Sequence, residues 1–444
     1  MTEPLSDRFK LITVFLFTAS IIILFQVYLA SFVFRQSDIF WNTGSSSYSI
    51  LAESWLQSGQ YSLNGQTPTA YRPPLYPMFL AGFLRWTDDA WPIIIGQSLI
   101  AGLSLGLLAT IGYFYSSKLW SIAIITILYA FIGEIALEYL VQRETGLFSL
   151  LLIVGAAIFI IEELQHRWWN VVALGLVLGL MALVRPVALG MLFFMGMWGL
   201  RLRILKLSWV EVGKRLLVFA IVFTIVLLPW GVRNKLAIGK FTVSSTTAGL
   251  NLWKGNNPST KDFYPRLDVD VLQDLVESPP QTTGWGKELR PIPDMTEVEQ
   301  DLYLRRLAQS YITAHPLEFF SMGLRKLYAL WTPQFVPLGY GEIELTSTGV
   351  RILDYQPYNA PIAAHLILYL FTLIGLWHLR KTPLVWFFMA WVIFLSAVHF
   401  VTFGESRFRW PLNMLSLPIA AAGVQVFLSR LTKTWRLVKS STRR

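Results

Sequence analysis

Long runs of apolar residues, separated by short polar segments, extend over most of the chain. Runs of about 18 or more apolar residues match the thickness of the hydrocarbon core of a bilayer, where a helix satisfies its own backbone hydrogen bonds. The pattern predicts an all-α polytopic membrane protein with about ten transmembrane helices. Their predicted bounds are residues 11–34, 90–115, 119–140, 145–162, 169–184, 187–200, 216–232, 360–378, 383–402 and 410–428.

Basic residues lie in alternate connections between the predicted helices, and this arrangement indicates the orientation of the chain. Connections rich in Lys and Arg stay in the cytoplasm. With the N-terminus inside, every basic cluster lies there, as expected for a multi-pass protein of the plasma (inner) membrane. The net charge of +10 then follows from topology and does not indicate nucleic acid as a partner. The clusters are Arg8 and Lys10, Lys118, Arg167, residues 201–215, residues 380–381 and the tail from Arg430.

Composition excludes several classes of protein. Hydrophobic residues make up 54% of the 444 residues and charged residues 14%, against roughly 25% charged in soluble domains. No cysteine is present, which excludes disulfides, thiolate metal sites and cysteine nucleophiles. The first apolar run, from Leu11 to Phe34, is too long for a signal peptide and lacks a small-residue cleavage site, so we expect a retained helix.

Two of the predicted outer segments are long. Residues 35–89 read as two short helices, the second opened by Pro73 and Pro74. Residues 233–359 predict a small mixed unit with an acidic helix at 295–315 and an interfacial helix near 315–331. The chain is thus divided into an N-terminal transmembrane module (1–232), this outer segment, and C-terminal helices with a basic cytoplasmic tail (360–444). No internal repeat is apparent, which disfavours an inverted-repeat transporter.

Ionisable residues gather at the outer ends of the predicted helices, where such groups are costly and therefore mark functional candidates. Guanidinium groups bind phosphate bidentately, and carboxylates act as general bases or bind divalent cations. The structural alternatives are arginines that reach lipid headgroups and a helix contact made by Glu134 and Glu138. The segment GLNLWKGNNP is either a Gly/Asn turn or a contact to carbohydrate or phosphate. The candidates are Asp38, Arg143, Glu144, Arg185, Arg233, Lys254, Asn256, Asn257, Glu405, Arg407 and Arg409.

An ordered series of short motifs extends along nearly the whole chain. The first outer loop contains SSSYSILAESWLQSG and TAYRPPLYP, and it is followed by QRETGLF, LVRP, LPWGVRN, GLNLWKGNNP, HPLEFF, RKLYALW and ESRFRWPL. In this succession the chain resembles the GT-C superfamily of polyprenyl-phosphate-sugar-dependent glycosyltransferases. The most similar type is the family 39-like group, related to protein mannosyltransferases and aminoarabinose transferases. The resemblance implies a GT-C-like bundle of about 10 to 13 transmembrane helices with a cavity on the periplasmic or extracellular side.

The resemblance also implies an activity. Such enzymes transfer a monosaccharide with inversion from a polyprenyl-phosphate carrier, such as undecaprenyl phosphate, to a protein, lipid or glycan acceptor. A carboxylate deprotonates the acceptor, and cations stabilise the departing phosphate. We expect Asp38 to be the base and Glu144 to support acceptor or metal binding, a divalent cation being the one cofactor considered. The residues expected to bind substrate are Ser45, Tyr48, Glu53, Tyr71, Arg72, Arg143, Arg185, Arg233, Asn234, Lys254, Asn256, Asn257, Glu405 and Arg407.

The first outer loop departs from the family pattern at one position. Relatives usually have an acidic residue about three positions before the loop tyrosine, whereas this chain has Ser45 before Tyr48. Serine does not act as that base unaided. Two alternatives therefore stay open beside the enzyme: a non-enzymatic binder or transporter of lipid-linked glycans, and a catalytically inactive GT-C-like scaffold.

Overall fold

The computed structural model describes residues 5–34, 38–41, 47–141, 143–265, 295–334, 339–346, 349–357 and 362–441. Helices dominate these ranges. The N-terminal half contains α1 (Leu5–Val33), α2 (Asp38–Trp41), α3 (Ser47–Ser58), α4 (Leu75–Leu84), α5 (Trp91–Ser116), α6 (Trp120–Phe131), α7 (Gly133–Glu138), α8 (Thr145–Gln165), α9 (Trp168–Ala182), α10 (Met191–Ile204) and α11 (Trp209–Ile238). There follow α12 (Ala248–Lys254), α13 (Pro258–Phe263), α14 (Glu297–Ala314), α15 (Pro316–Trp331), β1 (Gly339–Thr346), β2 (Gly349–Pro357), α16 (Ile362–His378), α17 (Pro383–Val401) and α18 (Ser406–Ser441).

The ends of several helices follow directly from the sequence. The hydroxyl of Ser208 accepts a hydrogen bond from the backbone N–H of Glu211 and so caps α11. Gly239 ends that helix with φ of 74°, a left-handed conformation that glycine adopts without strain. Thr296 and Glu299 form a reciprocal capping box at the start of α14. The acidic helix predicted at 295–315 is therefore confirmed within one or two residues.

Among the described residues, six helices are long and apolar enough to cross a membrane, by length and composition: α1, α5, α8, α11, α17 and α18. This is consistent with a membrane-embedded, mainly helical protein, but the criterion does not support the predicted count of ten. The predicted span 119–140 is divided, because Ile132 leaves the helical region (φ −89°, ψ 67°) between α6 and α7. The span predicted at 187–200 begins as a 3₁₀ turn at Pro186–Gly190 before α10. The remaining two match the shorter α9 and α16.

Close helix packing depends on small residues at the crossing points. The helices α16 and α18 approach so closely that a Cβ atom at Gly375 would lie 1.9 Å from the carbonyl oxygen of Ile419. A Cβ atom at Gly423 would lie 2.0 Å from the carbonyl oxygen of Phe371. Glycine at interfaces between apolar helices permits this approach, since van der Waals packing drives helix association in lipid.

Polar connections gather at both ends of the helix bundle. At the end of α11, the guanidinium of Arg233 donates to the carbonyl oxygen of Thr69 in the first loop (2.5 Å). At the opposite end, beside the C-terminus of α8, Glu163 pairs with Arg201 of α10 (2.9 Å). Arg201 also donates to the carbonyl oxygen of Lys381 (2.8 Å). The connections predicted to be outer and those predicted to be cytoplasmic therefore lie at opposite ends of α8. Which end faces the cytoplasm stays a prediction.

The segment after α11 combines helices with a β-hairpin. Strands β1 and β2 are antiparallel, with a shift of register between Tyr340 and Glu342. Helix α15 packs on α17, where the ring of Phe319 meets that of Phe400 edge to face at 5.7 Å. Its other face exposes apolar side chains, including Leu317 (86% exposed). The interfacial helix predicted near 315–331 is thus a helix with two distinct apolar faces.

Candidate active site

Glu144 lies where the loop after α1 meets the start of α8. Its Oε1 accepts a 2.6 Å hydrogen bond from Nε of Arg185, which follows α9. Its Oε2 accepts a 2.6 Å hydrogen bond from the hydroxyl of Tyr48 on α3. The side chains of Glu144 and Arg185 are only 13% and 10% exposed. Three segments that are distant in sequence therefore supply one buried, charged network.

The neighbours of Glu144 determine its protonation. Burial raises the pKa of the carboxyl, but Arg185, the Tyr48 hydroxyl and Arg72 together outweigh burial and lower this pKa from 4.5 to about 2. Burial and the adjacent carboxylate raise the pKa of Tyr48 above its ordinary value. At neutral pH Glu144 is therefore an anion and Tyr48 a neutral donor. A carboxylate with so low a pKa is a poor proton acceptor and is better suited to orienting groups and balancing charge.

A second carboxylate joins this network through Thr145. The Thr145 hydroxyl accepts from Nη2 of Arg185 (2.7 Å) and donates to Oε1 of Glu138 (2.6 Å). Oε2 of Glu138 accepts from Arg143 (3.2 Å). The predicted candidates Arg143 and Arg185 thus belong to one network: Glu138 pairs directly with Arg143 and reaches Arg185 through the Thr145 hydroxyl. The side chain of Glu134, which was considered with Glu138, lies outside the described residues.

Arg72 covers the loop side of the network. Its Nε donates to the hydroxyl of Ser47 at 3.1 Å. Its guanidinium carbon lies 5.0 Å from the ring centre of Tyr48 and 4.8 Å from that of Tyr71. Such cation–π contacts hold the guanidinium beside the tyrosines. The loop residues Tyr48, Tyr71 and Arg72 therefore form one group next to Glu144.

The ESRFRW motif reaches the same region through an aromatic ring. The guanidinium carbons of Arg185 and Arg407 lie 5.9 Å and 5.0 Å from the ring centre of Phe408. Arg407 also pairs with the buried Glu405 at 2.6 Å. Phe408 thus contacts one cation of the Glu144 network and one cation of the C-terminal motif. These residues were predicted as a functional group from sequence, and the structure brings them to one side of the bundle.

Arg409, the last cation of this motif, is bonded to backbone oxygens inside the protein. Its side chain is fully buried. It donates to the carbonyl oxygens of Leu330 (3.1 Å) and Gln334 (3.2 Å). These bonds join the start of α18 to the end of α15. Arg409 therefore does not reach toward lipid headgroups, which was the structural alternative considered for it.

Arg233 and Asn234 have a different environment from the one predicted. Besides Thr69, Arg233 donates to the carbonyl oxygen of Tyr61 (3.1 Å), and Asn234 donates to that of Thr242 (2.8 Å). These hydrogen bonds go to backbone oxygens of the protein itself. Both residues therefore fix the first loop and the turn after α11, and the structure does not bring them to Glu144.

The GLNLWKGNNP segment likewise forms a capped turn. Asn256 donates to the carbonyl oxygens of Leu252 (2.7 Å) and Val401 (2.8 Å). Asn257 caps α13, because its side chain accepts from the backbone N–H of Thr260 (2.9 Å). The carbonyl of Lys254 accepts from the hydroxyl of Thr260 (2.6 Å), while the Lys254 side chain is partly buried. Both asparagines match the structural alternative.

Three predicted site residues remain to be considered: Glu53, Asp38 and Ser45. Glu53 is exposed, and partial burial and the charge of Asp88 raise its pKa. The side chain of Asp38 and the whole of Ser45 lie outside the described residues. The backbone of Asp38 opens α2, whose Phe40 belongs to the same apolar cluster as Tyr48. This cluster places α2 beside the loop helix that carries Tyr48.

Sequence reasoning missed the residue that joins the loop after α1 to the segment after α11. Glu297, at the start of α14, accepts from the Thr69 hydroxyl (2.5 Å), from the Ala70 backbone N–H (3.1 Å) and from the Thr246 hydroxyl. An acid in the first turn of a helix is ordinarily explained by the helix dipole. No pattern along the chain distinguished Glu297 from such residues, because its partners are far away in sequence.

A divalent cation was considered at Glu144. Among the described residues, no group of three or more His, Asp or Glu side chains is placed to hold a metal ion. Glu144 and Glu138 are each bonded to arginine, which occupies the position that a cation would take. The donor set in the described part of the chain therefore does not favour a metal at this carboxylate.

Comparisons with known proteins add no assignment. No protein-family model matches the chain, and no curated protein or solved structure matches it either.

Proposed function

We propose that the chain transfers a monosaccharide from a polyprenyl-phosphate carrier to an acceptor on the non-cytoplasmic face of the membrane, as a GT-C-like glycosyltransferase. The observation that carries the proposal is the buried network of Glu144, Arg185, Tyr48 and Arg72. An apolar bundle keeps buried charges only when they are paired or functional. This network lies where the first loop, α8 and α9 meet, as the resemblance to these enzymes would require.

The charges suit a reaction that releases a phosphate. The acceptor oxygen attacks the anomeric carbon of the sugar, the bond from that carbon to the phosphate oxygen breaks, and polyprenyl phosphate leaves with the electron pair. Arg185 and Arg407, which both contact Phe408, supply cations toward the developing negative charge. Arg72 supplies a third cation on the loop side.

The acceptor proton needs a carboxylate of ordinary basicity. The low pKa of Glu144 argues for an orienting role there. We therefore keep Asp38 as the proposed base, with α2 packed near Tyr48 in support. The proton of the acceptor hydroxyl would pass to the Asp38 carboxylate as the new glycosidic bond forms.

Reconstituted protein and synthetic donors test this proposal. Liposomes containing the chain would receive polyprenyl-phosphate sugars labelled in the sugar, with membrane extract or a soluble polypeptide as acceptor. We expect labelled acceptor together with free polyprenyl phosphate, and loss of both with Asp38→Asn. Asp88→Asn, which alters an exposed carboxylate, is the matched control. Absence of transfer and of donor cleavage with every donor would contradict the enzyme, and flux of intact donor across the liposome would instead favour the transporter.

A further inference from the structure

Lys326 is a buried cation on the inner face of α15. Its side chain is fully buried, at 0% exposure. Its Nζ donates to Oδ1 of Asn256 (2.9 Å) and lies 3.3 Å and 3.4 Å from the carbonyl oxygens of Val401 and Phe400. Within the described ranges, no carboxylate forms an ion pair with it. A buried ammonium bonded to neutral oxygens is costly to maintain, which points to a specific purpose.

The oxygens that Lys326 contacts come from two other elements. Asn256 belongs to the turn after α12, and its Nδ2 donates to the same Val401 oxygen (2.8 Å). Phe400 and Val401 are the last two residues of α17. The lysine therefore joins α15, the GLNLWKGNNP turn and the end of α17 in one set of hydrogen bonds.

The backbones at this junction are in close contact. A Cβ atom at Gly255 would lie 1.7 Å from the carbonyl oxygen of Thr402, and one at Gly404 would lie 2.4 Å from that of Lys326. The hydroxyl of Tyr264 donates to the carbonyl oxygen of Gly404. Residues 402–404 are consequently packed between the turn that contains Gly255 and the backbone of α15. Their position therefore depends on Asn256 and on the carbonyl oxygens of Phe400 and Val401, to which Lys326 donates.

Residues 402–404 lead directly into the ESRFRW motif. Arg407 and Phe408 follow within four residues, and Phe408 stacks on His399 of α17 with ring centres 4.5 Å apart. The guanidinium of Arg185, the partner of Glu144, lies 5.9 Å from the ring centre of Phe408. A shift of the 402–404 segment would therefore move Arg407 relative to Arg185.

We infer that Lys326 is a positioning residue, which fixes residues 401–404 and so holds Arg407 and Phe408 beside Arg185. The expected effect of Lys326 on sugar transfer rests on the proposed function. Its expected effect on the position of residues 401–404 does not. Lys326 itself does not contact the reacting groups in this arrangement. It acts through the carbonyl oxygens at the end of α17 and through Asn256.

A single introduced thiol reports the position of the segment without any activity measurement. Because the chain has no cysteine, a Thr402→Cys parent carries one thiol, at position 402. We expect Lys326→Met to increase the rate of maleimide labelling of this thiol by about tenfold, because a hydrogen bond from a charged group typically contributes at least that factor. Arg325→Met is the matched control, because it removes an exposed cation from the adjacent position of the same helix. An unchanged labelling rate in Lys326→Met would overturn the inference.

A second pair of variants covers the case in which Lys326→Met does not fold. Asn256→Asp and Asn256→Leu both lose the hydrogen bond from Nδ2 to the Val401 carbonyl, but only Asn256→Asp leaves the ammonium an acceptor. We therefore expect the thiol to label more slowly in Asn256→Asp than in Asn256→Leu. Asn256→Leu removes the partner and should increase labelling. Equal labelling of these two variants would overturn the inference.

The transfer assay distinguishes a positioning role from a purely structural one, because it measures kcat and KM separately. In Lys326→Met we expect kcat to fall about tenfold with little change in KM, while Arg325→Met behaves as the parent. If the parent shows no transfer at all, the proposed function fails, and the labelling result still decides the role of Lys326. If transfer occurs and Lys326→Met retains full kcat, the inference fails and the proposed function stands.

Discussion

The hydroxyl of Tyr48 donates a 2.6 Å hydrogen bond to Oε2 of Glu144, which lies 96 residues later in the chain. This bond connects the helix of the first loop to the start of α8. The same carboxylate accepts from Arg185 on its other oxygen. Glu144 is therefore oriented from two sides, and the loop is held against the bundle by an ionised group.

Tyr48→Phe tests the contribution of this bond. The variant keeps the ring, which packs against the guanidinium of Arg72 and the ring of Tyr76, but removes the hydroxyl. A hydrogen bond to a charged group contributes roughly 1.5–3 kcal/mol, so we expect about a tenfold loss of transfer with little loss of folded protein. Tyr28→Phe, which alters an exposed tyrosine of α1, should behave as the parent. Full activity of Tyr48→Phe would exclude a role for the bond.

Arg185→Met leaves Glu144 as a buried, uncompensated anion. Breaking a buried ion pair by removing one partner destabilises by about 3–5 kcal/mol, so we expect a lower melting temperature in detergent. The double variant Arg185→Met with Glu144→Gln removes both charges and should recover part of that loss. The measurement is thermal unfolding of the parent, the two single variants and the double variant in one cycle. Strict additivity of the two single changes would contradict a direct pairing.

The acidic limit of stability provides a separate test of Glu144. Its folded pKa, lowered to about 2 from 4.5 by Arg185, Tyr48 and Arg72 against the effect of burial, means that ionisation stabilises the fold. This stabilisation is complete above about pH 4.5 and is lost as the pH falls toward 2. Glu144→Gln should therefore flatten the decline in melting temperature over this range, whereas Asp88→Asn should decline as the parent does. Parallel declines of Glu144→Gln and the parent would show that its ionisation does not stabilise the fold.

The parts of the fold that could be predicted are those set by local pattern. Apolar runs predicted α1, α5 and α17, and the acidic stretch at 295–315 predicted α14. The break at Ile132 was not predictable, because Gly133 follows an uninterrupted apolar run. The span predicted at 119–140 was therefore too long, because hydropathy reflects composition and does not report the dihedral angles of a single residue.

The site was predictable to the extent that its residues lie at helix ends. Glu144, Arg185 and Arg407 were found because charges beside apolar runs are conspicuous. The same rule selected Arg233, whose hydrogen bonds to backbone oxygens of the first loop show a role in fixing that loop. A sequence gives the charge of such a residue but not the acceptors that tertiary structure brings to it. For the same reason, no role was predicted for Lys326, which lies in the helix predicted near 315–331.

Glu297→Gln tests how the loop after α1 is joined to the segment after α11. The amide retains one acceptor oxygen but loses the charge that serves the Thr69, Ala70 and Thr246 donors. We expect faster amide hydrogen exchange in residues 61–72 with no change in α5 or α8, since the opening is local. Glu299→Gln is the matched control, because its bonds are made within the cap at Thr296. Equal exchange in the two variants would reduce Glu297 to a helix-capping residue.

The pH dependence of stability should reveal the buried state of Lys326. Burial lowers its pKa from 10.5 to about 7, so between these values the unfolded chain binds more protons than the folded chain. The free energy of unfolding therefore rises, through this lysine, as the pH increases from about 7 toward 10.5. His399, on the packed helix α17, lies within electrostatic range of the Lys326 amine. The contribution of the lysine is isolated by comparing the parent with Lys326→Met, because only this amine differs between them.

The measurement is the melting temperature of the detergent-solubilised protein at a series of pH values above neutrality. The parent should gain stability over this range, whereas Lys326→Met should lose that gain because it carries no titrating group there. Arg325→Met should retain it, since Arg325 is exposed and stays charged throughout. A parent and a Lys326→Met variant with the same slope would mean that the amine is as easily protonated in the folded chain as in water. The carbonyl oxygens of Phe400 and Val401 would then compensate fully for burial.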